Sequence, residues 1–182
     1  MSRKFFKKYL PSNESIRNHK YLGRLSAYLQ HPNLWHMNRH SVSGGVAVGL
    51  FAGLVPGPLQ MLTAMVLAIP LRVNLPFALL TTLYTNPLTI APLYLAAYFL
   101  GTFITGAESH MIPPPEFSWG ELGAWLSALV DWALSLGKPL IVGLFALATS
   151  LAVTGYVVVR VSWRIAVSIA WRRRKARRLR AH

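Results

Sequence analysis

The sequence predicts an all-α integral membrane protein, with two proline-broken hydrophobic helical segments and then a C-terminal transmembrane helix. Three observations carry this. First, 53% of the 182 residues are apolar and 13% are charged, against about 25% charged in an ordinary soluble domain. The mean hydropathy of +0.39 excludes disorder, because a disordered chain is poor in apolar residues. Second, the charge is segregated. Lys and Arg number 19 against 5 Asp and Glu, for a formal charge of +14, and nearly all the basic residues sit at the two ends. Third, Pro139–Val159 runs 21 residues without a charge, and about 20 apolar residues at about 1.5 Å each cross a bilayer core. A chain of this size has too little interior to hide both that helix and Ser41–Ala107, a 67-residue block whose one charge is Arg72. There are no cysteines, which removes disulfide scaffolds and thiolate zinc sites.

Residues 1–40 form a basic cytoplasmic or interfacial region with eight basic residues and one acid, Glu14. The first residues carry the charges of a signal peptide but no apolar run behind them, so no cleavable signal is expected. Tyr21, Leu22, Leu25, Tyr28 and Leu29 recur at helical spacing within 14–30. Such a helix suits the membrane interface, and equally suits packing on the rest of the chain. His31, His36 and His40 follow, but no carboxylate or thiolate lies close in sequence, so no metal site is expected.

Residues 41–107 form the membrane core. Pro56-Gly57-Pro58 interrupts the first half and Asn86-Pro87 the second. Proline removes a backbone donor and turns the preceding residue out of the helical region. Each half is therefore two helical pieces around a break, either crossing or re-entrant. An offset of 29 residues superposes Pro58-Leu59 on Pro87-Leu88 and Leu50 on Leu79, which leaves an internal repeat open.

Residues 108–138 hold a Pro-rich loop and an amphipathic helix over 119–136. Leu122, Trp125, Leu126, Leu129, Trp132 and Leu136 make its bulky face. It either spans or lies on the membrane. Residues 139–160 are the transmembrane helix, and 161–182 are a basic cytoplasmic tail. Positive residues at both ends put both termini in the cytoplasm and make the number of crossings even. The tail read alone would suggest nucleic acid. That partner explains none of the apolar block, so none is expected. Anionic membrane lipid at the basic ends is the expected partner, and a homo-oligomer is left open.

The ordered set His31-Pro-Asn-Leu-Trp-His36, Asn38-Arg39-His40-Ser-Val42, Gly49-Leu-Phe51, Pro56-Gly-Pro-Leu-Gln-Met61, Arg72-Val-Asn-Leu-Pro76 and Asn86-Pro-Leu-Thr89 resembles the bacterial membrane family called domain of unknown function 2062. The likeness covers roughly residues 20–160. It implies a multi-pass protein of the bacterial inner membrane and supplies no mechanism.

Irregular backbone at membrane depth persists only where protein or a water-filled cavity satisfies it, and transporters build binding sites from such breaks. Gln60 follows the first break; Asn86 and Thr89 flank the second; Arg72 and Asn74 lie between the halves. The functional expectation is a small transporter or lipid-handling protein with the breaks facing each other. Arg72 would take an anionic group, while Gln60, Asn74, Asn86 and Thr89 would supply hydrogen bonds. The bland reading is that Pro56, Gly57, Pro58 and Pro87 only shape the fold and Arg72 snorkels to the interface. The alternative function is a non-transporting adaptor whose basic ends gather anionic lipid or a cytoplasmic partner. No catalytic constellation and no cofactor motif is visible, so an enzyme is not expected.

Overall fold

The structure is a computed structural model describing residues 31–57, 59–108, 112–117 and 120–179. The amphipathic pattern over 14–30 lies outside the described residues. Seven helices and no strand occur among the described ones.

A short α1 (Pro32–Trp35) leads into α2 (Arg39–Ala52). Asn38 starts α2 by accepting the N–H groups of His40 and Ser41 on its Oδ1, at 3.0 and 2.8 Å. Ser41, Gly45, Gly49 and Gly53 recur every fourth residue and so share one face. That face lies against α4 (Leu75–Thr82). A Cβ at Gly45 or Gly49 would collide with the carbonyl oxygens of Asn74 and Ala78. Small residues at this spacing let two backbones approach closely, and the order of the contacts makes α2 and α4 parallel. Between them α3 (Leu59–Leu71) runs back, with Ala64 and Ala68 fully buried against Val48, Ala52, Leu75 and Ala78.

After the second break, α5 (Ile90–Thr105) continues in the direction of α4. The amphipathic segment forms α6 (Leu122–Ser135); its Trp125, Leu129 and Trp132, and Leu136 just after it, are buried with Ile90, Tyr94 and Tyr98 of α5. The last helix, α7 (Gly137–Leu179), is 43 residues long, about 64 Å at the helical rise. It lies antiparallel along α5 and then along α2. At the first crossing a Cβ on Gly101 or Gly143 would strike the Pro139 or Ala97 carbonyl. At the second, Gly155 faces Leu50, and Phe51 meets Phe145 edge to face at 5.9 Å.

One helix among the described residues is long and apolar enough to cross a membrane. It occupies Gly137–Arg172, with 11% of its most apolar window buried. It does not stop at residue 160. The change from oil to charge there is a change of side chains within one continuous helix.

The pieces α2/α3 and α4/α5 fall on either side of the two prolyl breaks, as the sequence predicts. The two halves are not alike in direction, however. The first break reverses the chain, so α2 and α3 form a hairpin. The second only kinks it, so α4 and α5 run onward together. The 29-residue offset therefore superposes α3 on α5, which point opposite ways. The reason is local. Between α2 and α3 the chain passes through Gly57 at φ +65°, which permits a reversal that an L-residue resists. Between α4 and α5, Asn86 builds the next helix start directly.

Candidate functional site: the paired helix breaks

A helix ending inside a protein leaves its last carbonyls without partners. Most of the carbonyls at the end of α2 are provided for. Gly53 N–H bonds the Gly49 carbonyl at 2.9 Å and Val55 N–H bonds that of Ala52 at 3.0 Å. Three hydroxyls from the second half take three more. Tyr84 donates to the Leu50 carbonyl at 2.8 Å, Thr85 to that of Gly53 at 2.6 Å, and Tyr94 to that of Leu54 at 2.9 Å. Tyr94 and Thr85 are both buried. The two breaks are thus in contact, held by chemistry that a hydrocarbon surrounding makes expensive to lose.

The second break is provided for in the same way. Asn86 Oδ1 accepts the N–H groups of Leu88 and Thr89 at 3.0 and 3.2 Å. Thr89 Oγ1 accepts Asn86 N–H at 2.9 Å and donates to the Tyr84 carbonyl at 2.8 Å. These bonds satisfy the free donors at the start of α5. Gln60 joins the two breaks directly, its Oε1 lying 2.6 Å from Thr85 Oγ1. It is half-buried, and its amide donors have no partner among the described residues.

Of the polar residues singled out in the sequence, Gln60, Asn86 and Thr89 therefore lie together with Thr85. Arg72 and Asn74 do not join them. They stand at the other end of α3, about 18 Å away along the helix. Asn74 is 1% exposed, and its polar groups are all engaged. Its N–H donates to the Ser41 carbonyl at 2.9 Å, Oδ1 accepts Phe77 N–H at 3.1 Å, and Nδ2 donates to the His36 carbonyl at 3.3 Å. It is the cap of α4 and has nothing left for a ligand. Arg72 is exposed at φ +53°. It closes α3 in the left-handed position, with Arg72 N–H on the Ile69 carbonyl and Val73 N–H on that of Ala68, both 3.1 Å. That pattern usually carries glycine. His31 likewise serves a helix start, its Nδ1 accepting Asn33 N–H at 3.2 Å.

Beside the breaks lies a cavity of about 390 Å³. Gln60, Thr85 and Asn86 form its polar end, and side chains of α6 and the first turns of α7 form its walls. Nothing in the sequence announces this space, since its walls come together only in three dimensions. Tyr94 and Trp125 were legible in principle, because a Tyr or Trp inside an oily helix must find a partner for its polar atom.

The sequence pattern of the family described as "Uncharacterized protein conserved in bacteria (DUF2062)" matches residues 22–172. The chain belongs to this family. No curated protein and no solved structure matches it.

Proposed function

We propose that this family member is a multi-pass protein of the bacterial inner membrane that handles membrane lipid. In this reading α7 crosses the bilayer with its basic end in the cytoplasm. The kinked pair α4–α5 crosses the other way. The hairpin α2–α3 is re-entrant from the cytoplasmic side, because its arms of 14 and 13 residues reach only about 20 Å into a core about 30 Å thick. Two crossings keep both termini inside. Arg72 then falls at the cytoplasmic interface, where a snorkelling cation is expected.

The observation that supports the reading is the position of the paired breaks along α7. They lie between the two crossings of α7, at Gly143 and Gly155, and so near the middle of the apolar run 139–159. Polar side chains at that depth beside a hydrocarbon-walled cavity suit a lipid whose chain stays in oil while its polar part passes. A polar solute is less well served, because most hydrogen-bonding groups at the breaks already bind backbone. The test is reconstitution into vesicles containing a lipid with a fluorescent headgroup, with an impermeant reductant added outside. The protein should accelerate bleaching of the inner-leaflet pool. A rate equal to that of empty vesicles would refute the proposal.

The adaptor reading keeps one observation of its own. α7 continues past the apolar run with exposed Val161, Ile165 and Ile169 set among Arg160, Arg164 and Arg172. A helix of that composition binds an anionic surface. Removal of residues 172–182 should then abolish binding to anionic vesicles and leave lipid movement intact.

A further inference from the structure

We infer that the cavity between α6 and α7 binds a single hydrocarbon chain carrying an uncharged hydrogen-bond acceptor, an acyl ester, and that the Trp125 indole N–H meets this acceptor. The inference rests on the lipid-handling reading for the source of the chain. It holds whether or not lipid crosses the bilayer.

Three features define the occupant. The first is size. A cavity of about 390 Å³ is at the small end of the range of about 300–1,000 Å³ for ligand sites, which suits one chain and not two. The second is charge. No carboxylate, imidazole, lysine or arginine lines the cavity among the described residues, so a phosphate or carboxylate there would be buried unpaired, at high cost. The third is an orphan donor. Trp125 lines the cavity and is 6% exposed, and its Nε1 is buried with no hydrogen-bond partner among the described residues. Trp132, seven residues on and also buried, donates to the Ile112 carbonyl at 3.0 Å. Against Trp125 packs Phe117, edge to face at 4.9 Å, a ring that offers only its weak π face. Native interiors leave few such donors empty, and each calls for an explanation. An ester carbonyl supplies an acceptor without bringing charge. Leu126, Val130 and Leu134 line the cavity yet are exposed, so a chain can enter sideways from surrounding lipid.

The test is photolabelling of the whole protein in detergent micelles. Two probes carry the same diazirine-bearing chain: a fatty-acyl methyl ester and a phosphatidylethanolamine. Label is expected on Leu144 and Ala133, mapped by mass spectrometry. Unlabelled acyl methyl ester should compete about five- to tenfold better than an alkane of equal length, the worth of one buried hydrogen bond. Trp125→Phe should keep the label and lose that preference. Ala133→Trp should fill the cavity and remove label from Leu144, while Phe103, 86% exposed, stays labelled. Leu144→Trp tests the same point from the opposite wall through label on Ala133, should Ala133→Trp fail to fold. Label that survives in folded filled variants overturns the site, and equal competition by ester and alkane in the unmodified protein overturns the acceptor. Labelling by the methyl ester alone supports the site and makes the source a free single-chain ester. Labelling by both supports it and makes the source a bilayer phospholipid. Vesicles without lipid movement would end the transbilayer reading and leave a labelled cavity standing.

Discussion

At one end of α3, Gln60 reaches across to Thr85 and ties two helix breaks together. At the other end, Asn74 and Arg72 stand side by side and share nothing. Asn74 is buried and makes four hydrogen bonds to the chain. Arg72 is exposed and serves as a backbone turn. The residues look equivalent in sequence, as polar side chains in an oily block. Their difference teaches that a polar residue beside a break first serves the backbone the break has left open. Only a group left over after that accounting is available to a ligand. By that standard Gln60 has free capacity and Asn74 has none.

Breaking the Asn74 end should cost the most. Asn74→Ala removes the cap of α4 and leaves the His36 carbonyl without its donor. Together these losses should destabilise the fold by about 2–4 kcal/mol. Thermal unfolding in detergent followed by circular dichroism would show it, and an unchanged midpoint would erase the distinction between the two ends. The Gln60 end should be softer. Thr85→Val leaves the Gly53 carbonyl without a side-chain donor, for about 1–2 kcal/mol. The same unfolding experiment ranks the two variants, and a larger loss for Thr85→Val would invert the comparison.

How far the sequence foretells this follows from the same residues. Prolines at 56, 58 and 87 and the 21-residue charge-free run mark where helices break and which one is longest. Those signals are local, and they were legible. The direction of the chain after each break was not, because it depends on Gly57 at positive φ in one case and on an Asn86 turn in the other. Nor was the split between Gln60 and Asn74. Both are amides next to a helix end, and which amide becomes buried depends on α1 and α2 arriving beside residue 74. The cavity was least legible of all, since it forms where α6 and α7 diverge.

Gln60→Leu separates stability from function at the break end. The amide has one bond to lose, to Thr85, whose hydroxyl keeps the Gly53 carbonyl as an alternative acceptor. Stability should change by under about 1 kcal/mol, near the average for hydrogen bonds between membrane helices. Lipid movement in vesicles should nonetheless slow by about threefold or more, if that one hydrogen bond helps the polar part past mid-depth. Equal rates for the two proteins would remove Gln60 from the site.

The smallest effect is expected at Arg72, and it should have the opposite sign. A non-glycine residue in the left-handed region carries a penalty of about 1 kcal/mol. Arg72→Gly relieves it while keeping the α3 turn, and glycine gives part of the gain back through a more flexible unfolded chain. The net expectation is a stabilisation of about 0.5 kcal/mol with lipid movement unchanged. Arg72→Ala is the control, since it removes the charge and keeps the strain. A loss of lipid movement in both variants would return Arg72 to the binding site. A loss of binding to anionic vesicles alone would make it an interfacial anchor. With neither lost, Arg72 is a helix terminator whose side chain reaches water, and the free capacity of the core lies at the Gln60 end.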